Sequence, residues 1–422
     1  MNKGEKTAFV PRLRFPEFAI NCAVNFETGD AIFEPISNKN HNSDLPVLAI
    51  TQEHGAIPRD HIDYNVSVTD KSLESYKVVE KGDFIISLRS FQGGIEYSLY
   101  HGICSPAYIV LRKRFPIIEQ YYKHYFKTGK FIQDLNKDLE GIRDGKMVSY
   151  SQFSSILLPK PENKEQQKIA DCLSSLDDLI VEENKKLETL KAHKRGLMQK
   201  LFPAEGETVP EWRLPEFRGS NVWEEKRMDM FFSIGSSKRV LQENWTNKGV
   251  PFYRTRELVS LSKGEPFSSE IFISEELYNV LSETYGSPSE GDFLVSGVGT
   301  LGVCYQVKAE DKFYFKDGNV LWFKLKGGLH STYFNYCFQS DHIQNQIDEQ
   351  TSKSTVGTYT IQNAKRTKLW CPPTISEQKK IADCLSSIDD LISAQVEKVE
   401  ALKAHKKGLM QGLFPSIEEV GE

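Results

Sequence analysis

The chain carries little net charge, few cysteines, no long apolar run and no recognisable catalytic motif. Its 53 Lys+Arg against 58 Asp+Glu leave a formal charge of −5 over 422 residues. Bulk composition therefore does not mark a polyanion binder, although a near-neutral domain can still present a basic face. The seven cysteines (22, 104, 172, 304, 337, 371 and 384) are odd in number and none sit at metal-ligand spacing. They read as reduced thiols of a cytoplasmic protein without a structural zinc. No apolar run approaches the roughly 20 residues that cross a bilayer. The opening MNKGEKTAFVPRLRFPEF lacks the apolar core of a secretory signal. There is no Walker-type loop, no G-x-S-x-G and no H-E-x-x-H. Cys371-Pro372-Pro373 is not the Asn/Asp-Pro-Pro-aromatic run of amino-methyltransferases. Recognisable catalytic constellations are missing.

What the chain does have is the same helix written twice. Residues 165–203 and 377–415, 212 positions apart, are identical at 28 of 39 places. Upstream the duplication continues at a drifting offset. Val10-Pro11 through Phe18 resembles Val209-Pro210 through Phe217, at 199. Thr51-Gln52-Glu53 resembles Thr255-Arg256-Glu257 at 204, and Gly82-Asp83-Phe84 resembles Gly291-Asp292-Phe293 at 209. Tyr121-Tyr122 and Phe126 match Tyr333-Phe334 and Phe338 at 212, as Gly145 matches Gly357. Small steps in offset are what loop-length changes on a shared fold produce. The order is domain, helix, domain, helix, with boundaries at 1–157, 158–207, 208–370 and 371–422.

The two large domains read as α+β with bent or barrel-like sheets. Strands are predicted in Asp83–Leu88, Tyr108–Arg112, Asp292–Ser296 and Val320–Leu325, between Gly, Pro, Asn and Asp punctuation. Residues 117–138 and 331–348 read as helices. In 112–131 bases alternate with aromatics, which suits either nucleic acid or an amphipathic core helix.

The repeated helices carry a heptad seam. Copy one places Ile169, Leu173, Leu176, Ile180, Leu187, Leu190, Leu197 and Leu201 on it. Copy two places Ile381, Leu385, Ile388, Ile392, Val399, Leu402, Leu409 and Leu413. Both copies break the seam at Glu183/Gln395 and Lys194/Lys406. Polar residues inside a seam fix register, so their reuse predicts one defined pairing, an antiparallel coiled coil with pseudo-two-fold symmetry. His193 and His405, within Lys-Ala-His-Lys, read as surface residues. The basic cluster at 191–200 suits a helix C-terminus.

Gly297-Val298-Gly299-Thr300-Leu301-Gly302 satisfies G-x-G-x-x-G, but the next residues read as a strand, so a turn between strands fits better than a dinucleotide site. Loops that change while their frame persists are candidate recognition surfaces. Gln52, His54, Arg59 and Arg89 stand in the first domain, Arg254 and Arg256 in the second. Arg143 and Lys146 occupy the place that Lys353, Ser354 and Thr355 hold in the second copy. Gln, Arg and Lys suit base edges in the major groove of duplex DNA.

The twice-written EQ-x-K-I-A-D-C-L-S-S-x-D-D-L-I and L-K-A-H-K-x-G-L-M-Q-x-L-F-P, with G-D-F and the prolines before each long helix, resemble the specificity subunit of type I restriction–modification systems across essentially the whole chain. The resemblance implies two target-recognition domains, each reading half of a split, asymmetric sequence in double-stranded DNA, held apart by paired helices that act as a ruler. It implies two methyltransferase subunits and restriction/translocase subunits as partners. S-adenosylmethionine, ATP and Mg would belong to those partners, with no cofactor on this chain. Trp223 has no tryptophan counterpart in the first copy, and Phe26 is expected in its place. Two other classes stay open: a stand-alone coiled-coil DNA-binding regulator, and a nicotinamide-dependent enzyme using Gly297–Gly302.

Overall fold

In each half the apolar runs are strands buried on both faces. The computed structural model describes residues 10–19, 23–42, 44–62, 73–137, 148–265, 267, 269, 271–351 and 357–415. It divides into two compact units. Unit 1 is Met1–Lys185 with Glu397–Glu422, and unit 2 is Lys186–Val396.

Unit 1 centres on a four-stranded antiparallel sheet in the spatial order Phe33–Ile36, Ile109–Lys113, Phe84–Ile86, Glu96–Tyr97. Side chains alternate across a strand. Phe84 and Ile86 accordingly enter one core with Phe33, Leu111 and Tyr122, while Ile85 enters a second with Val110, Leu48 and Val79. That is why the sequence shows a continuous apolar run there instead of alternation. Smaller ladders pair Leu48–Thr51 with Gly55–Pro58 and Lys77–Val79 with Gly102–Cys104. Bridges Val47–Ile103 and Ala56–Ser98 join them into the bent arrangement expected.

Unit 2 repeats the plan with Phe232–Gly235, Val320–Leu325, Phe293–Ser296 and Cys304–Gln306. Phe293 and Val295 face one core and Leu294 the other. The Gly-Asp-Phe motif does the same job twice. Asp83 accepts the Glu80 amide and Asp292 the Ser289 amide. The carbonyls of the same two aspartates accept the amides of Ser98 and Val307. Residues Gly297–Gly302 form the turn between the strands Phe293–Ser296 and Cys304–Gln306, with a strand and not a helix following.

Three expectations need correction. The stretch 117–138 is two helices, Glu119–Tyr125 and Gly129–Asn136, and 331–348 is likewise Ser331–Phe338 and Asp341–Thr351. Thr128 and Ser340, 212 apart, turn their hydroxyls onto the carbonyls of Tyr125 and Cys337, and the Thr128 side chain caps the next helix. The aromatics of this region (Tyr121, Tyr122, Tyr125, Phe126 and Phe131) are core. Trp223 precedes the strand Glu224–Arg227 as Val24, not Phe26, precedes Asn25–Thr28.

The long helices run Asn163–Leu201 and Ile375–Leu413. At 1.5 Å per residue each is about 58 Å long. All sixteen expected seam residues are buried or half-buried. Within unit 1, Ile169 and Leu173 share a core with Leu413 and Phe414. Within unit 2, Leu197 and Leu201 share one with Ile381 and Leu385. A fully buried leucine such as Leu173 contributes about 1.5–3 kcal/mol. Each helix start is seated on its unit by a buried bidentate pair, Arg14–Glu165 in unit 1 and Arg213–Glu377 in unit 2. Among the described residues no helix is long and apolar enough to cross a membrane.

Candidate nucleic-acid interface

The seam breaks become intelligible from their partners. In unit 1, Lys406 pairs with Asp177, and Lys398 with Glu183 at 2.6 Å. Numbers rise along one helix as they fall along the other, so these segments run antiparallel. In unit 2, Lys194 meets Asp389 at 2.7 Å. The two Lys–Asp pairs are one contact repeated at offset 212. Each is completed by the domain helix beside it. His124 bonds Ser174 at 3.2 Å and lies 3.8 Å from Asp177. Tyr336 donates to Asp389 at 2.7 Å and bonds Ser386. Burial, with Lys406 alongside, holds His124 down to about 4, although Asp177 pulls it upward. Sequence reasoning missed Asp177 and Asp389. Their identity in both copies, one residue past the seam positions Leu176 and Ile388, was the available signal. His193 and His405 are exposed.

In unit 1 the candidate readers Gln52 and Arg89 are brought together. Gln52 lies in the turn between Leu48–Thr51 and Gly55–Pro58, and its side-chain amide donates to the Arg89 carbonyl at 3.2 Å. Arg89 precedes the one-turn helix Ser90–Gly93, and its side chain is exposed. His54 stands exposed in the same turn. Arg59 follows the second strand, at the opposite end of that hairpin. This patch offers a carboxamide, an imidazole and a guanidinium to solvent, the donors and acceptors that distinguish base pairs in a major groove.

Unit 2 builds the corresponding place differently. Arg254 and Arg256 flank the start of the helix Thr255–Lys263, and both guanidiniums bond Glu257, which is 2% exposed. Burial pushes the Glu257 carboxyl up, but the hydrogen bonds from Arg254 outweigh it and hold it below the usual range. The three groups together carry one net positive charge at a helix N-terminus, an end whose dipole already favours anions. The aligned triplets Thr51-Gln52-Glu53 and Thr255-Arg256-Glu257 thus occupy unlike elements, a hairpin turn and a helix start. Arg143, Lys146, Lys353, Ser354 and Thr355 lie outside the described residues.

Among the described residues no three His, Cys, Asp or Glu side chains gather as metal ligands. The six described cysteines are free thiols, and burial pushes Cys104 and Cys337 up to about 12, far from a reactive thiolate. A groove of about 1400 Å³ in unit 2, lined by Lys194, Glu225, His342, Lys368, Trp370 and Asp389 among others, holds charges that already pair with one another.

Comparison with known proteins places these features in a family. The family model for the type I restriction modification DNA specificity domain matches residues 23–192 and again 221–404. The type I restriction enzyme MjaVIII specificity subunit of Methanocaldococcus jannaschii is 23% identical over 368 residues, 83% of this chain and 81% of that protein. The crystal structure of a type I restriction–modification S subunit from M. genitalium covers 97% of this chain and 100% of its own, at a TM-score of 0.56 and 15% identity. A structure from work on complex assembly and conformational transition of the type I R-M system covers 93% and 97%, also at 0.56, with 18% identity. At these identities the structural likeness is one of fold.

Proposed function

We propose, from the premise that this chain belongs to the type I restriction–modification DNA specificity family, that it reads a bipartite, asymmetric site in double-stranded DNA, one half with each unit. Residues 1–157 and 208–370 are the two target-recognition domains, and 158–207 and 371–422 the helical regions between and after them. The observation that carries this is one frame built twice with unlike polar loops upon it. The sheet order, the Gly-Asp-Phe knot and the arginine seat of the long helix recur. The exposed groups differ: Gln52, His54 and Arg89 in one unit, the Arg254–Arg256–Glu257 cluster in the other. Unlike readers on like frames suit unlike half-sites. Arg59, Arg143, Lys146, Lys353, Ser354 and Thr355 complete the candidate contacts.

The chain is a non-catalytic subunit working in the cytoplasm. It docks two methyltransferase subunits and the restriction/translocase subunits of an adenine-specific complex. S-adenosylmethionine, ATP and Mg are handled by those partners. The test is co-expression with a cognate type I methyltransferase subunit, followed by methylome sequencing. A split adenine-methylated motif that disappears when this chain is deleted supports the reading. A stable complex that methylates no motif, or no complex at all, refutes it. Removing seven residues from 176–190 tests the ruler: the unread gap should change and both half-sites persist.

A further inference from the structure

Two readers of different half-sites have only the sugar–phosphate backbone of their targets in common. Base edges differ between the halves, while phosphates position a protein without carrying sequence information. A cation that both units keep at the same place, and that no protein group neutralises, is therefore marked for phosphate.

Lys39 and Lys238 fit that description. They stand 199 apart, the offset of the strands Phe33–Ile36 and Phe232–Gly235, three residues beyond the end of each. Both are exposed. Of the other basic positions kept in both domains, two are occupied by structure in both copies and a third in the first copy. Arg14/Arg213 bind buried glutamates, Arg114/Lys326 donate to the carbonyls of Asp30 and Asp229, and Arg112 of the Arg112/Lys324 pair is tied to Asp83. Among the described residues Lys39 and Lys238 form no ion pair.

Both loops are tied to their units by hydrogen bonds, and ordering before binding lowers its entropic cost. The Asn38 carbonyl accepts the Val78 amide, and the Asn38 side chain accepts the Asn40 amide. In unit 2 the Ser236 and Ser237 hydroxyls donate to the carbonyls of Val320 and Phe315, and the Lys238 amide donates to the Tyr314 hydroxyl. These bonds set the Ser236–Arg239 loop beside Lys316. Lys238 lies 5.2 Å from the Tyr285 ring centroid and Lys316 5.7 Å from that of Trp245. A ring orients an ammonium without cancelling its charge.

We propose that Lys39 and Lys238 are equivalent phosphate contacts, one per unit, and that Arg239 and Lys316 extend the contact in unit 2. The assignment rests on the DNA-reading function proposed above. Removing either lysine should lower the slope of log affinity against log salt by about 1. Between about 50 and about 200 mM salt that is a roughly 3- to 4-fold change in the ratio of wild-type to variant affinity.

The test is a salt titration of the full-length chain on a labelled random-sequence duplex. It compares wild type, Lys39→Ala, Lys238→Ala, the double variant, and Lys186→Ala on the exposed side of the first long helix. The slope should fall by about one in each single variant and about two in the double, on every duplex alike, with Lys186→Ala unchanged. An unchanged slope in the double variant, an equal fall in Lys186→Ala, or a fall confined to some sequences overturns the phosphate assignment and leaves DNA reading standing. A wild-type chain that binds no duplex overturns both.

Discussion

Replacing Arg213 by Met should unseat the second long helix from unit 2. Glu377 sits in the first turn of that helix at 1% exposure and accepts from Nε and Nη2 of Arg213, at 2.8 and 2.9 Å, and from the Trp223 indole N–H at 3.1 Å. Arg213 also donates to the carbonyls of Ser220 and Asn221. Breaking a buried pair by removing one partner costs about 3–5 kcal/mol, because the other charge stays buried and uncompensated. Replacing both partners by apolar groups is far gentler, so Arg213→Met with Glu377→Leu should destabilise much less than the two single changes summed. At about 1–3 kcal/mol per molar urea, the single change moves the midpoint by roughly 1–5 M. All five tryptophans (212, 223, 245, 322 and 370) lie in unit 2, so intrinsic tryptophan fluorescence during urea unfolding reports on that unit. Additive destabilisation in the double variant, or a single-variant midpoint within experimental error of wild type, would refute the argument that the pair is a coupled seat.

Three more outcomes are expected. Burial holds His124 down to about 4 in the folded unit, against an ordinary value near 6.5 in the unfolded chain, so it is neutral between the two when folded. The unfolded state therefore binds the extra proton, and stability falls as pH drops from about 6.5 towards about 4, by up to about 1.4 kcal/mol per pH unit. His124→Tyr, which copies Tyr336, should remove that acid sensitivity in denaturant titrations across the window; sensitivity that persists assigns it to other groups. Asp389→Lys sets two lysines face to face at the seam, whereas Asp389→Lys with Lys194→Asp restores the pair. Because the groups are part-exposed, the recovery should be about 1 kcal/mol or less, and no recovery in thermal melts would deny the contact. Arg256→Ala should relax the half-site read by unit 2 and leave the other intact, by sequencing of methylated motifs, whereas equal loss at both halves would indicate misfolding.

The architecture was legible because its signals are periodic or duplicated. The heptad seam, the Gly-Asp-Phe knot and the core aromatics can be followed at steady offsets, and each recurs as the same contact in the two units. The broken helices and the aligned triplets share one cause: a local hydrogen bond decided the backbone where periodicity did not. Thr128 and Ser340 interrupt helices whose apolar pattern runs straight on. At the aligned triplets the deciding residues lie just beyond the similarity. Thr51 closes its turn onto the Gly55 carbonyl, and Gly55 has φ +70° with the Tyr97 carbonyl only 2.8 Å from where a Cβ would stand. In the second copy Val259 holds that place, φ > 0 is costly for it, and Glu257 caps a helix instead. Candidate contacts were harder still, because a base-reading side chain is one that the fold leaves uncommitted.

That last property makes the duplication itself an instrument. Within one copy, an exposed lysine and an exposed arginine look alike. Between two copies they separate: groups kept and paired are structural, as Arg14 and Arg213 show; groups kept but unpaired, as Lys39 and Lys238 are, answer to something both targets share. Groups that differ, such as Arg89 against Val298, are free to answer to what the targets do not share. The distinction needs a second copy of the same fold, which this chain supplies within its own length, and, under the proposed reading, a ligand that differs between the copies.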